Sequence, residues 1–358
     1  MTFADEYIRR ALRLNRVSEG EFAEDAVRLR EIREQIREQL DRLDSDSISS
    51  ARRNEIAFGI ATIIEENFTE FADRANEIAT EAVRKEIEFN TELLATFTDE
   101  VINAPVLAVA VQDVQNREFR GRTFTQWYQA TGITASRAVL DRIQTGLIAG
   151  EPIPSVTRGV QGPVNQTGHN IRTLVRSNLL AASNRARELV VDENVDLFEG
   201  KVWISTLDIR TTPHICGIRD QQMYTNENEP VGHDLPWEAG PGAIHFNCRS
   251  TFIPKIEGVD IDAPRPSVGA GDDYDRGDNT TRTGRVRKPT KRNRDNGIFE
   301  IDQQSAGTTY EEWLRTQPQD FIADALGSQS GAAAFKNGQA LETVTDNIFG
   351  TNLTIDQL

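Results

Sequence analysis

The chain has 358 residues, 38 % of them apolar and 27 % charged, which suits a protein of two or three domains. A formal net charge of −16 excludes a surface that binds nucleic acid non-specifically as a whole, because phosphate contact needs clustered Lys and Arg. No run approaches the roughly 20 apolar residues that cross a bilayer. The opening stretch MTFADEYIRRALRLNR holds no apolar signal core, and two cysteines cannot form a disulfide scaffold, so a reducing compartment is the expectation.

Residues 1–100 contain no proline and read as helical. Phe22, Ala26, Leu29, Ile32, Ile36, Leu40 and Leu43 recur every three or four residues amid Glu and Arg, a stripe on one helix face. SDSISS at 45–50 breaks the pattern and offers N-cap residues. Ile56, Ile60, Ile63, Ile64, Phe68 and Phe71 predict a second amphipathic helix, and a third is expected from about Asn76 to Leu94. Such stripes serve equally as a bundle core or as a face that docks on a partner helix.

Another helix is expected within 121–150, stopped by Gly150, and a further one over 167–194, with Leu174, Val175, Leu179, Ala182 and Ala186 on one face. KVWIST at 201–206 is β-branched and aromatic and reads as a strand. Residues 226–243 carry three prolines and three glycines and form a loop; RSTFIPKI then gives a second short strand. Residues 257–300 are poor in apolar residues and read as a linker. Within it Arg282, Arg285, Arg287, Lys288, Lys291, Arg292 and Arg294 fall among thirteen residues. That density fits contact with DNA or an acidic surface, and equally a solvated tether. In the tail, Thr309 and Glu312 form a capping-box pattern, Pro318 breaks the apolar face and Gly327 closes the helix. The last thirty residues predict one small helix and a short extended end.

Both cysteines and three of the four histidines lie between 214 and 248. His214 with Cys216, and His245 with Cys248, supply two close pairs of thiolate and imidazole donors, the ligands and number that zinc takes in structural sites. His233 and Asp208 are spare donors. The first pair has one intervening residue, an unusual spacing. A cysteine nucleophile with a histidine base, a Cys216–Cys248 disulfide and a metal-free knuckle held by hydrogen bonds are the alternatives. Asp208 and Asp220 read as acid/base carboxylates or, more simply, as turn caps, with LDIRTTP fitting an Asx turn. GxxxxGK[ST], HExxH and GxSxG are all absent.

Trp203, Ser205 and Asp208 stand as W-x-S-x-x-D; Arg210, Thr211 and Cys216 follow as R-T-x-x-x-C with one extra residue. Asp220, Gln221 and Tyr224 come next, without the glycine usual after the aspartate, and His245, Asn247, Cys248, Arg249 and Ser250 match H-x-N-C-R-[SC]. In this order, over about residues 130–256, the chain resembles the phage Mu F-like head morphogenesis family of minor head proteins. The tail YEEWLRTQPQDFIADALG resembles the segment that follows the domain in many members.

The resemblance implies a virion protein, present in the host cytoplasm during assembly. Its expected partners are the portal and other head proteins, and packaged double-stranded DNA, in multiple copies per particle. It implies a structural rather than catalytic role, with zinc suggested by the Cys/His set. The rival is a metal-dependent nuclease or hydrolase acting at DNA packaging or entry. The fold expected is mainly α with a small α+β central domain: long N-terminal helices, a loop-rich subdomain pinned by Cys/His, and a short helical C-terminal tail. The expected divisions are 1–120, a helical region; 121–256, the head-morphogenesis domain; 257–300, a flexible charged linker; and 301–358, a helical tail.

Overall fold

The computed structural model describes residues 2–42, 49–98, 100–274 and 297–349. The protein is mainly helical, with a small sheet region and a Cys/His cluster. No described helix is long and apolar enough to cross a membrane. The chain divides into two compact units, one of 13–193 with 245–247, the other of 1–12, 194–244 and 248–358. Position 120, expected as a domain boundary, therefore falls inside one unit. The basic residues Arg282 to Arg294, like Leu43, lie outside the described residues.

The helical unit holds α1 (Phe3–Asp41) from residue 13 onward, α2 (Ser50–Phe97), α3 (Leu107–Asn116), α4 (Phe124–Ile148) and α5 (Ile153–Asp192). Helices α2, α4 and α5 pack on one another. Ser49 caps α2, its hydroxyl accepting the Arg52 N–H at 3.2 Å, as the Ser-rich stretch predicts. The expected second and third helices are one helix, α2. Between Phe71 and Asn76 the chain reads ADRA, with no glycine or proline to stop a helix, and Ala72, Ala75 and Ala79 carry the buried stripe across.

Helix α3 falls within the stretch 1–120 expected to be helical, beyond the individual helices expected in residues 1–100. Helix α5 begins well before residue 167 and runs through Pro163, which deprives the Gly159 carbonyl of its i+4 helical donor. Gly132 of α4 lets that helix meet α2 closely, since a Cβ there would lie 2.7 Å from the Phe68 Cβ. Thr123 caps α4 with the reciprocal Gln126 bonds of a capping box.

Among its described residues the second unit holds two small sheets. Strands β1 (Phe198–Ile204), β3 (Met223–Tyr224), β4 (Pro230–Val231) and β5 (Thr251–Ile256) make an antiparallel sheet in the order β4-β3-β1-β5. Strands β2 (Leu207–Asp208), β6 (Arg265–Ala270) and β7 (Phe299–Gln304) make the other, with β2 parallel to β6 and β6 antiparallel to β7. The stretch 257–300 is thus not wholly linker. Residues Arg265–Ala270 alternate buried and half-buried along β6, a period-2 pattern that one proline, one glycine and a low apolar content conceal in the sequence. Gly200 sits at φ +149° in β1, and a Cβ there would lie 2.2 Å from the Tyr224 carbonyl oxygen, so the β1–β3 approach requires glycine.

The tail forms four helices: α6 (Tyr310–Thr316), α7 (Gln319–Leu326), α8 (Gln329–Lys336) and α9 (Leu341–Phe349). The Thr309–Glu312 capping box is formed, and Gly327 takes a left-handed φ of 69° after α7. Among the described residues of the last thirty there are two helices instead of one, and the expected extended end lies outside the described residues. Ser328 caps the first by accepting the Gly331 N–H, and the buried Phe335, Leu341 and Val344 join Trp313, Phe321 and Leu326 in one core.

Candidate metal centre and its supporting network

The site is built where β1 ends. Strand pairing carries Trp203 into the core, fully buried, with its ring edge-on to Trp237 at 5.4 Å. Its indole N–H donates to Ser205 Oγ at 3.1 Å, and Ser205 Oγ donates to the Cys216 carbonyl at 2.7 Å. The W-x-S spacing thereby fixes the single π-helical turn Pro213–Gly217 that carries Cys216. Ser205 Oγ also lies 3.3 Å from Ser250 Oγ, which ties the turn to the segment leading into β5.

Two buried carboxylates brace this arrangement. Asp208 Oδ1 accepts the Arg210 backbone N–H at 2.9 Å, the Asx turn that LDIRTTP suggests. The Arg249 guanidinium forks onto both Asp208 oxygens at 2.5 Å. Burial alone would raise the Asp208 carboxyl; Arg249 more than offsets that and holds it below the usual carboxylate range. Asp220 is bound more heavily still. Its Oδ1 accepts Ser205 N at 2.7 Å and Arg265 at 2.8 Å, and its Oδ2 accepts Arg265 at 2.8 Å and the Tyr310 backbone N–H at 2.6 Å. Arg265 also donates to the Ser205 carbonyl at 2.7 Å. Asp220 is thus bound by a cation and two backbone donors and Asp208 by a cation and one backbone donor, an arrangement that pins the local fold.

The sulfurs lie inside this frame. Cys216 and Cys248 are free, buried, and 3.7 Å apart at Sγ. The Gly242 N–H points at Cys248 Sγ from 3.2 Å. Burial pushes the Cys216 thiol well above its ordinary value, reinforced by Cys248 and opposed by Ser250 and Arg219. His245, three residues before Cys248 in the same loop, completes a group whose ligand atoms all lie within 4.8 Å of one another. Its Nδ1 lies 2.9 Å from the Phe246 carbonyl. That contact suits an Nδ1 that carries the proton and an Nε2 that presents its lone pair, the usual bracing of a metal-bound imidazole.

The Cys-His-Cys cluster can therefore hold a metal ion. Thiolates bound at about 2.3 Å in a tetrahedron stand about 3.8 Å apart, close to the 3.7 Å found. The donor set suits a soft or borderline cation rather than magnesium or calcium. Tyr310, whose hydroxyl is buried without a hydrogen-bond partner, has Cys216 among its electrostatic neighbours.

Of the donors expected from sequence, His214 is not in the group; it sits two residues before Cys216 on the π turn. His233 is spent elsewhere, its Nε2 against the Met223 carbonyl at 2.9 Å and its Nδ1 accepting Leu235 N at 3.2 Å. Asn247 stands at φ +59°. Within the helical unit its Oδ1 accepts Arg176 at 3.0 Å and its N–H donates to Ser177 Oγ at 2.9 Å. Phe246 beside it meets Phe119 and Trp127 edge-on at 4.8 and 5.2 Å. Sequence reasoning missed Arg265, hidden in the presumed linker, and Phe246, whose only signal is an aromatic between two motif residues.

No family model matches this chain, and neither a curated protein nor a solved structure matches it.

Proposed function

We propose that this protein is a minor structural component of a tailed-phage head, associated with the portal, acting in head assembly and in the packaging or delivery of DNA, without catalytic turnover. The ordered resemblance from Trp203 to Ser250 suggests the role. One observation carries the non-catalytic part: the two motif carboxylates, Asp208 and Asp220, are each consumed by a buried arginine and by backbone donors. In this reading zinc held by Cys216, His245 and Cys248 is structural and clamps the loop before β5 to the π turn. The basic stretch 282–294 faces packaged DNA.

The test is quantitative mass spectrometry of purified, DNA-filled particles. A few to tens of copies per portal ring is the expected result. Absence from particles, with abundance in the producing cell, overturns the virion role and favours the metal-dependent nuclease or hydrolase. Metal analysis of the purified full chain tests the clamp. About one zinc per chain is expected, falling to background in Cys248→Ala and His245→Ala, and a metal content unchanged by either substitution removes it.

A further inference from the structure

The two sulfurs are placed for a second chemistry. They are the chain's only cysteines, 32 residues apart in sequence and 3.7 Å apart in space. No third thiol competes, so whatever one sulfur bonds to, the other is the partner within reach. A disulfide requires an S–S distance of about 2.05 Å, which asks the pair to close by roughly 1.7 Å. Cys248 lies in a segment, 240–250, that belongs to no strand or helix and runs as successive turns, with Gly240 and Gly242 at φ 80° and 81°. A small shift of that segment is the natural way to close the gap.

We propose that Cys216 and Cys248 form a reversible dithiol–disulfide couple whose oxidised form excludes the metal, making the centre redox-sensitive. The oxidant is a low-molecular-weight disulfide. The Cys248 thiolate attacks one of its sulfurs; the S–S bond breaks, a mixed disulfide forms, and one small thiol leaves. The Cys216 thiolate then attacks the Cys248 sulfur, forming the Cys216–Cys248 bond and releasing the second small thiol. Two protons leave the cysteines and two small thiols carry them away, while two electrons pass to the oxidant. The product has no thiolate to offer a cation, so metal and disulfide exclude each other.

Burial sets the rate. Both sulfurs are closed from solvent, so oxidation waits on opening of the 240–250 segment and runs far slower than at an exposed thiol. Once Cys248 is captured, the neighbouring Cys216, exposed by the same opening, resolves the mixed disulfide. The bond closes a loop of about 33 residues and restricts the unfolded chain, so the oxidised protein melts on the order of 10 °C higher than the reduced, metal-free one.

The exclusion of metal rests on the reading of Cys216, His245 and Cys248 as ligands; the couple itself does not. The experiment uses the full chain, stripped by a chelator, reduced, and equilibrated in oxidised glutathione with and without zinc. Alkylation and peptide mapping follow. The expected product is a Cys216–Cys248 linked peptide lighter by two hydrogens, reversed by dithiothreitol, with little glutathione on either residue. Two alkylatable thiols, or stable glutathione adducts on both, overturn the couple even where zinc binds. Zinc at about 100 times its Kd leaves about one chain in a hundred metal-free, so crosslinking slows by about a hundredfold. A stripped chain that crosslinks at the same rate with zinc present upholds the couple and overturns the exclusion. Cys216→Ser, which removes the resolving thiol, accumulates a glutathione adduct at Cys248; if it fails to fold, the wild-type thiol count decides alone.

Discussion

Asp220 shows how much one side chain can hold. It joins the end of β1, the first residue of α6 and Arg265 of β6 through four contacts of 2.6–2.8 Å, with both charged side chains almost wholly buried. Asp220→Asn keeps the shape and removes the charge, leaving the Arg265 guanidinium buried without a counter-ion. Losing one partner of such a pair costs about 3–5 kcal/mol, and urea unfolding should show a loss of that size. A loss below about 1 kcal/mol would mean that the pair is not what joins these elements. The two motif aspartates differ in legibility for a physical reason. Asp208 bonds the backbone two residues on, so its turn is written in a local stretch. Asp220 finds Arg265 across 45 residues, in a segment whose Gly, Asp and Arg content resembles a linker, and nothing local announces the pairing.

Elements were legible where periodicity and punctuation agree. The Thr309–Glu312 box and the Gly327 stop fall where the sequence places them, whereas the supposed break within α2 had no breaker residue and does not exist. What periodicity cannot give is which helices meet. The α2–α4 contact turns on Gly132, where a Cβ would come within 2.7 Å of Phe68. Gly132→Ala improves helix propensity yet overpacks this contact, so a net loss of about 1–2 kcal/mol is expected by chemical denaturation; a gain would show that Phe68 yields freely.

Asp25, on α1, adds a pH dependence to the same bundle. Burial pushes its carboxyl up to about 6, opposed by Arg74 and Arg28 and reinforced by Glu21 and Glu24. Because the folded value lies above the unfolded one, this group's contribution is complete below about pH 4 and is lost as pH rises through about 6. Asp25→Asn should therefore melt higher than the parent at neutral pH, while Arg74 keeps Glu21 and Glu24 at 2.7 Å. Thermal melts of both proteins between about pH 4 and 7.5 isolate the effect as their difference. A difference that stays constant across the window would exclude Asp25 as its source.

For the whole molecule, charge is the property that every part shares. A net charge of −16 makes the folded chain repel itself. Ion pairs offset this unevenly. Those on helix surfaces, such as Arg84 with Glu81 and Glu88 or Arg37 with Glu34, are each worth about 0–1 kcal/mol and are screened by salt. The interior pairs Arg187–Glu86 and Arg265–Asp220 are screened far less. Raising NaCl from about 0.1 to 1 M shortens the Debye length from about 10 to 3 Å. The general repulsion then fades while the interior pairs persist, so the melting temperature should rise by a few degrees. Seven positive charges sit at Arg282, Arg285, Arg287, Lys288, Lys291, Arg292 and Arg294, and replacing them with Gln takes the net charge from −16 to −23. That variant should show the steeper dependence on salt. If the same residues meet DNA, the parent's affinity for duplex should fall with salt at a log–log slope of up to about −6, and the variant's slope should approach zero. Melting that drops with salt would place the chain's stability in its surface pairs instead. A DNA slope unchanged by the seven substitutions would move the contact elsewhere on the molecule.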